Sequence, residues 1–514
     1  MDIWKKILMT LLMLLLVISV AAGIMWHMEY YVMVDFRSYP KDAENLDLRQ
    51  KKITIEHYEK LRQKLPGCEI LWNVPFQGGT VPQDTVQITV ESLSEKDVAA
   101  LAYLPALQTV DARGCGDYTQ LLALEQHHPD LNIVYDIRLG GEMYDREEKK
   151  ITVAGLTEQE IPFLACFPEL ETVVCTGGEH GAMIQLREYC RSYGIGFSVR
   201  VGGTAVSAEA KQVTVKTAGE EDLQMLALLD RAKTIHLVEP QVSAESLIAL
   251  REKCRDTKVT WEKKLFGVTC VSSEEEIDLS EKKLRDLEKL TREMAYFPDA
   301  ERVFLGKSSL DNETLADYRE QMRKSFKVVW TVELGEKLTA RTDDTTFMPV
   351  RERVYYFNDE EAYNLRYCED MVCIDIGHMS IHNIDFVEYM PKLKYLILAH
   401  TQLQYIEPIR SCKNLVFLEL DWAPIRDLSP LVECTALEDL NVGNVYCSFE
   451  PLMEMPWLKN LWMIGSGKSA YQISQALPDT KVQAAGNATV AAGWRDLPNY
   501  YDMRDELGMH YMSW

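Results

Sequence analysis

Basic side chains are scarce relative to acidic ones in this 514-residue chain: 55 Lys and Arg stand against 79 Asp and Glu, a formal charge of −24. An acidic surface repels phosphate backbones, so nucleic acid is a poor candidate partner. The charge is spread along the chain rather than gathered in a tail, which reads as a solvated surface. Paired cysteine motifs are missing as well. The 12 cysteines are scattered, with no C-x-x-C pair and no metal-ligand spacing. There is no G-x-S-x-G elbow and no Rossmann glycine fingerprint. Gly465-Ser466-Gly467-Lys468-Ser469 ends like a phosphate-binding loop, but Trp462 stands where that loop requires its first glycine. His378 and His382 are four apart but lack the H-E-x-x-H form. Neither a cofactor, a metal nor an enzymatic activity is expected.

Long apolar runs are confined to one. Ile7 to Met28 contains no Asp, Glu, Lys or Arg, and Lys5 and Lys6 precede it. A run of this length can cross a bilayer as a helix. The flanking charges predict a cytoplasmic N-terminus and an extracytoplasmic body. The competing reading is a cleaved signal peptide, because Ser19-Val20-Ala21 has the small-x-small form. In that case the protein is secreted.

The strongest positive signal lies between Met371 and Gly465. Segments beginning at Met371, Leu393, Leu415, Leu437 and Leu458 are separated by 22, 22, 22 and 21 residues. Within each, apolar residues occupy positions 1, 4 and 6, as in Leu415, Leu418 and Leu420. Such a unit buries its apolar face only against the next, so the segments must stack. Cys412 and Cys434 fall in one column with Met390 and Met455, which marks them as core residues; strands about 4.8 Å apart would allow a bond between them, and free thiols are the favoured expectation.

A longer period precedes this ladder. The strand-like segments at Ile88, Ile151, Val213 and Ile277 recur at 63, 62 and 64 residues. Segments closing each unit, ILWNVPFQGG, IVYDIRLGG, IGFSVRVGG, VTWEKKLFG and VVWTVELGE, recur at 63, 62, 64 and 69. Helical patterns with acidic starts lie between them. Each unit reads strand, helix, strand, helix, longer strand, and Gly-Gly in the last makes a hairpin plausible.

Positions 1, 4 and 6, with the proline column Pro408, Pro430 and Pro451 and the stretch IRDLS, resemble the internalin-like class of bacterial leucine-rich repeats. That resemblance covers about a fifth of the chain and speaks to fold more than to task. The chain also resembles membrane-anchored leucine-rich repeat proteins of Gram-positive anaerobes. The expected fold is therefore an α/β leucine-rich repeat solenoid preceded by one transmembrane helix. Its parts are a cytoplasmic tail (1–6), a signal anchor (7–28), a linker (29–50), irregular units (51–340), a polar joint (341–370), regular repeats (371–485) and an aromatic cap (486–514). A string of separate modules of about 63 residues followed by a ladder is the alternative.

With positions 4 and 6 inward, strand alternation turns positions 3 and 5 outward and puts position 8 at the strand exit. The candidate binding face is then Asp375, His378, Tyr395, His400, Phe417, Glu419, Trp422, Asp439 and Trp462. Its partner would be a protein or peptide, since exposed aromatics are the anchors binding surfaces use. Alternatively these rings pack against the joint or the C-terminal tail of the same chain. A second functional reading is a structural envelope scaffold whose acidic repeats act as a spacer or self-associate. Asn312-Glu313-Thr314 and Asn487-Ala488-Thr489 fit the glycosylation pattern, which matches often by chance.

Overall fold

The computed structural model describes residues 2–486 and 493–509. Asn487-Ala488-Thr489 lies outside the described residues. The chain divides into two compact units, Met1–Val259 and Thr260–Trp514, so the division falls inside the long-period region rather than at the polar joint. All 12 cysteines are free thiols.

The first unit opens with the helix Asp2–Tyr30, which is long and apolar enough to cross a membrane. After a short hairpin come parallel strands Asn45–Asp47 and Glu69–Leu71 around the helix Ile55–Lys64. The long period then repeats as parallel triplets. Ile88 pairs with Val110, and Val110 with Ile133. Ile151 pairs with Val173, and Val173 with Phe197. These apolar columns are buried, as the alternation of strand side chains demands.

Each longer closing strand is in fact a hairpin, because glycine at its tip supplies the left-handed backbone that a tight turn needs. Ile137–Leu139 returns as Glu142–Tyr144 over Gly140 and Gly141, both at positive φ. In three of the hairpins one carboxylate ties the tip to the start of the following helix. Asp97 accepts from Ser94 N–H and from Gln77 N–H at the hairpin tip. Glu160 does the same for Thr157 and Gly140, and Asp222 for Gly219 and Gly202. The acidic helix starts thus have two tasks: they cap the helix and hold the hairpin. Two helical patterns are shorter than the spacing predicts. LTEQEIPFLACFPEL forms only the 3-10 helix Ile161–Cys166, and GEEDLQMLALLDRA only the helix Glu220–Leu226.

In the second unit a further triplet, Glu276–Asp278, Arg302–Phe304 and Lys327–Val329, leads into a seven-stranded parallel sheet. There Cys373 pairs with Tyr395, Tyr395 with Phe417, Phe417 with Asp439, Asp439 with Asn460 and Asn460 with Lys481. The polar stretch from Arg341 is built into this sheet rather than set apart from it. Its strand Thr346–Phe347 forms the first edge, and Thr342 N–H closes on Trp330 O at 2.9 Å. One hydrophobic core runs continuously from Leu265 to Leu477 and contains Leu415, Leu418 and Leu420. On the outer side the chain returns through short 3-10 helices. Pro408, Pro430 and Pro451 sit in their first turns, where a missing N–H costs nothing and φ is preset. Asn312, in the other glycosylation match, accepts from Trp330 Nε1 at 2.9 Å.

The hairpin tip offers a test of this packing. A Cβ on Gly140 would lie 2.5 Å from Ala154 O, while one on Gly141 meets nothing within 4 Å. Gly141→Ala should cost about 1 kcal/mol from left-handed strain alone. Gly140→Ala should cost roughly 2–4 kcal/mol, because overpacking of about 1–3 kcal/mol is added. Urea unfolding of the two variants checks this, and equal losses would contradict the packing.

Candidate interaction surface on the ladder

At the exit of each ladder strand one residue takes the left-handed backbone: His378 at φ 64°, His400 at 56°, Trp422 at 59°, Asn444 at 54° and Gly465 at 90°. For non-glycine residues this conformation costs about 1–2 kcal/mol each. Hydrogen bonds between successive turns hold it. The N–H of His378 donates to Ala399 O at 2.8 Å, His400 to Asp421 O at 2.9 Å, Trp422 to Gly443 O at 3.0 Å and Asn444 to Ile464 O at 2.7 Å.

Because the turns stack in register, so do the side chains. The rings of His378 and His400 lie 4.4 Å apart and 12° from parallel, and those of His400 and Trp422 5.9 Å apart at 18°. All three remain exposed, Trp422 by 53%. Partial burial and the neighbouring His378 push the His400 imidazole below its usual pKa, against the pull of Asp421, whose Oδ2 is 3.9 Å from Nε2. The shift favours the uncharged form of His400.

The sheet face beside this column is not open to solvent, contrary to the expectation for positions 3 and 5. Phe417, Glu419, Asp439 and Trp462 are buried, as is Tyr395, and Asp375 is half-buried. The C-terminal segment lies on them. Trp494 packs 4.8 Å from the Phe417 ring and 5.4 Å from Trp462, and its Nε1 donates to Glu419 Oε2 at 2.8 Å. Leu497, Met503 and Leu507 join the same cluster with Cys373, Tyr395 and Ile397. Asn499 Nδ2 donates to Asp439 Oδ2 at 3.0 Å, and Arg351 Nη1 to Leu507 O at 2.9 Å. The physical reason is mutual: aromatic rings on a sheet face and apolar residues on a short tail both lose water-exposed area by meeting.

The tail thus covers the sheet face instead of capping the last turn; residues 487–492 and 510–514 of that expected cap lie outside the described residues. The ladder is continued instead by the helix Gly467–Ala476 and the strand Lys481–Gln483. Of the nine residues expected on one exposed face, the structure leaves His378, His400 and Trp422 exposed together. The buried rings follow the alternative in which they pack against the C-terminal tail, and Trp494, Leu497, Met503 and Leu507 are the tail residues that meet them. Their signal was the aromatic, apolar composition of the tail, which did not say where it docks.

The buried carboxyls respond to this cover. Burial, reinforced by the charge of Asp421 and opposed by the Trp494 N–H, pushes the Glu419 carboxyl up to about 8. Burial likewise raises Asp375 and Asp439, the latter opposed by the amides of Asn460 and Asn499. Among the described residues no three His, Cys, Asp or Glu side chains are grouped to hold a metal ion.

No protein-family model matches this chain, and no curated protein matches it either. Solved structures do. The chain is similar to internalin C2 of Listeria monocytogenes, at 19% identity over 27% of this chain and 72% of that one, with a TM-score of 0.20. It is similar to an internalin, inlF, of the same organism at 12% identity over 87% and 94% of the two chains, TM-score 0.21. A leucine-rich repeat protein of Leptospira interrogans matches at 11% identity over 77% and 93%, TM-score 0.22. Likenesses at such TM-scores carry no argument about shape or task. The leucine-rich repeat character rests on the stacked parallel strands and their buried leucine columns.

Glu419 makes tail docking pH-dependent. Its pKa is raised on docking, so the docked state holds a proton that the free carboxyl, at an ordinary 4.5, has already lost. Docking is therefore strongest below about pH 4.5 and weakens as the pH rises toward about 8, by up to about 1.4 kcal/mol per pH unit. Hydrogen exchange of the helix Pro498–Glu506, corrected for intrinsic rates, should lose protection over that range. Glu419→Gln should flatten the dependence.

Proposed function

We propose that this chain is a non-enzymatic leucine-rich repeat protein that binds a protein or peptide partner at the cell surface. In this reading the apolar helix anchors it as a single-pass protein, N-terminus inside and body extracytoplasmic. The observation that carries the proposal is the column His378–His400–Trp422. Its backbone is held in a costly conformation, its rings are stacked in register, and it stays exposed while the neighbouring aromatics are buried by the chain's own tail. A rigid aromatic edge loses little side-chain entropy on binding, which is why such rings serve as anchors. Tyr446 and Tyr405, 78% and 61% exposed, are further exposed aromatics in loops of the same ladder.

The chain itself supplies a mild substitution for the test. Asn444 occupies the same left-handed position one turn on, so His400→Asn and Trp422→Asn should leave the ladder folded. Crosslinking capture from intact cells should recover a partner with the unaltered protein and at least tenfold less with the double variant. Equal recovery would remove the column from the binding surface. Concentration-dependent oligomers of the purified body, abolished by the same variant, would instead make a second copy the partner and the protein a self-associating scaffold.

A further inference from the structure

The hairpins that end the long-period units do not all close alike. In three of them the returning strand bonds back to the entering aromatic residue. Ala208 N–H donates to Phe197 O at 2.9 Å, Ser272 N–H to Trp261 O at 2.8 Å and Thr342 N–H to Trp330 O at 2.9 Å. In the unit of Tyr135 the corresponding residue is Arg146, and its side chain fills the gap. Its Nε donates to Cys166 O at 3.3 Å and its Nη1 to Ile133 O at 3.4 Å. The guanidinium pairs with Glu125 and lies 5.1 Å from the centroid of the Tyr135 ring.

The preceding unit has the same niche without the plug. Trp72 stands for Tyr135, Ile70 for Ile133 and Gln83 for Arg146, while Arg62 takes the place of Glu125 and so reverses the charge. These four line a cavity of about 600 Å3, within the range of roughly 300–1,000 Å3 that holds small ligands. Three further observations describe what would fit it.

The first is an unpaired donor. Trp72 Nε1 is buried with no hydrogen-bond partner among the described residues. The tryptophans at equivalent positions are satisfied: Trp261 Nε1 donates to Tyr296 O at 2.7 Å and Trp330 Nε1 to Asn312 Oδ1 at 2.9 Å. Leaving a buried donor unmet is costly, and an acceptor that reaches it from the cavity, which Trp72 lines, would recover that loss.

The second is a free strand edge. Glu69 N–H donates to Glu44 O at 2.8 Å and Leu71 O accepts from Leu48 N–H at 2.7 Å. Residues 69 and 71 therefore face the strand Asn45–Asp47, and alternation turns the N–H and C=O of Ile70 to the opposite edge. The third is charge. Arg62 makes no ion pair with the described residues, whereas Arg49 is already bonded to both oxygens of Asp47. Glu69 and Asp84 also line the opening, which disfavours a ligand of high negative charge. A single carboxylate on an otherwise neutral backbone fits.

We propose that this cavity binds the C-terminal end of an extended peptide. The peptide backbone pairs with Ile70 along the free edge of Glu69–Leu71, and its terminal carboxylate accepts from Arg62 and Trp72 Nε1. The neighbouring unit blocks the same niche with its own Arg146. This site stands independently of the ladder surface.

The test uses the full chain and calorimetric titration with acetylated tetrapeptides of Ala and Val, carrying either a free or an amidated C-terminus. The free-acid peptides should bind saturably at one site, and amidation should weaken binding at least tenfold. Arg62→Gln should weaken the free-acid peptides by a similar factor and leave the amides unchanged. The pair Arg62→Glu with Gln83→Arg copies the plugged niche; it should keep or raise the melting temperature and abolish binding. His400→Asn and Trp422→Asn should leave peptide binding intact. Absence of binding to the unaltered protein, equal affinity of acid and amide, or undiminished binding by the plugged variant would each overturn the proposal.

Discussion

Everything in the ladder depends on a single constraint: a turn of this chain has one short strand whose apolar side chains cannot be buried within the turn itself. Leu415, Leu418 and Leu420 are buried only because the turns on either side present the same columns. Stacking satisfies the strand N–H and C=O groups at the same time, since each pairs with the next turn. Regularity follows from this. A turn with an extra residue in its strand would displace every neighbour, so variation is pushed into loops and into residues at the strand exits.

Stacking also multiplies whatever stands at one position. The left-handed exit residue recurs at each turn, and three aromatic or imidazole rings there become a continuous edge. The same multiplication makes the sheet face beside it a broad aromatic and acidic surface, Phe417, Trp462, Glu419 and Asp439. The chain covers that surface with its own tail, at the expense of burying carboxyls whose pKa values that burial raises. Two adjacent parts of one surface thus have different fates, one covered and one free.

The long-period units solve the stacking problem more loosely. A hairpin closes each one, and in three of them a single carboxylate at the start of the next helix fixes its tip, as Asp97, Glu160 and Asp222 do. The looser arrangement leaves space where the hairpin returns. Whether that space is closed by backbone, plugged by Arg146 or left as the cavity beside Trp72 depends on one side chain in each unit.

Spacing alone was enough to determine which residues form strands, which are buried in columns and where proline starts each outer helical turn. These depend on contacts between equivalent positions of successive turns, and a period in the chain records such contacts directly. The hairpins were visible in Gly140-Gly141 and Gly202-Gly203, because their backbone angles suit few other residues. Packing of the tail on the sheet face was one of two readings open from the sequence, and the pairing of Trp494 with Phe417 was not visible. It joins Trp494 to a strand 75 residues earlier through Glu419, outside any period, and the tail's apolar composition fits several surfaces equally well. Which aromatics are exposed was therefore decided by tertiary structure, and so was the difference between Gln83 and Arg146, two polar residues whose surroundings appear only when the hairpin meets the helix beside it.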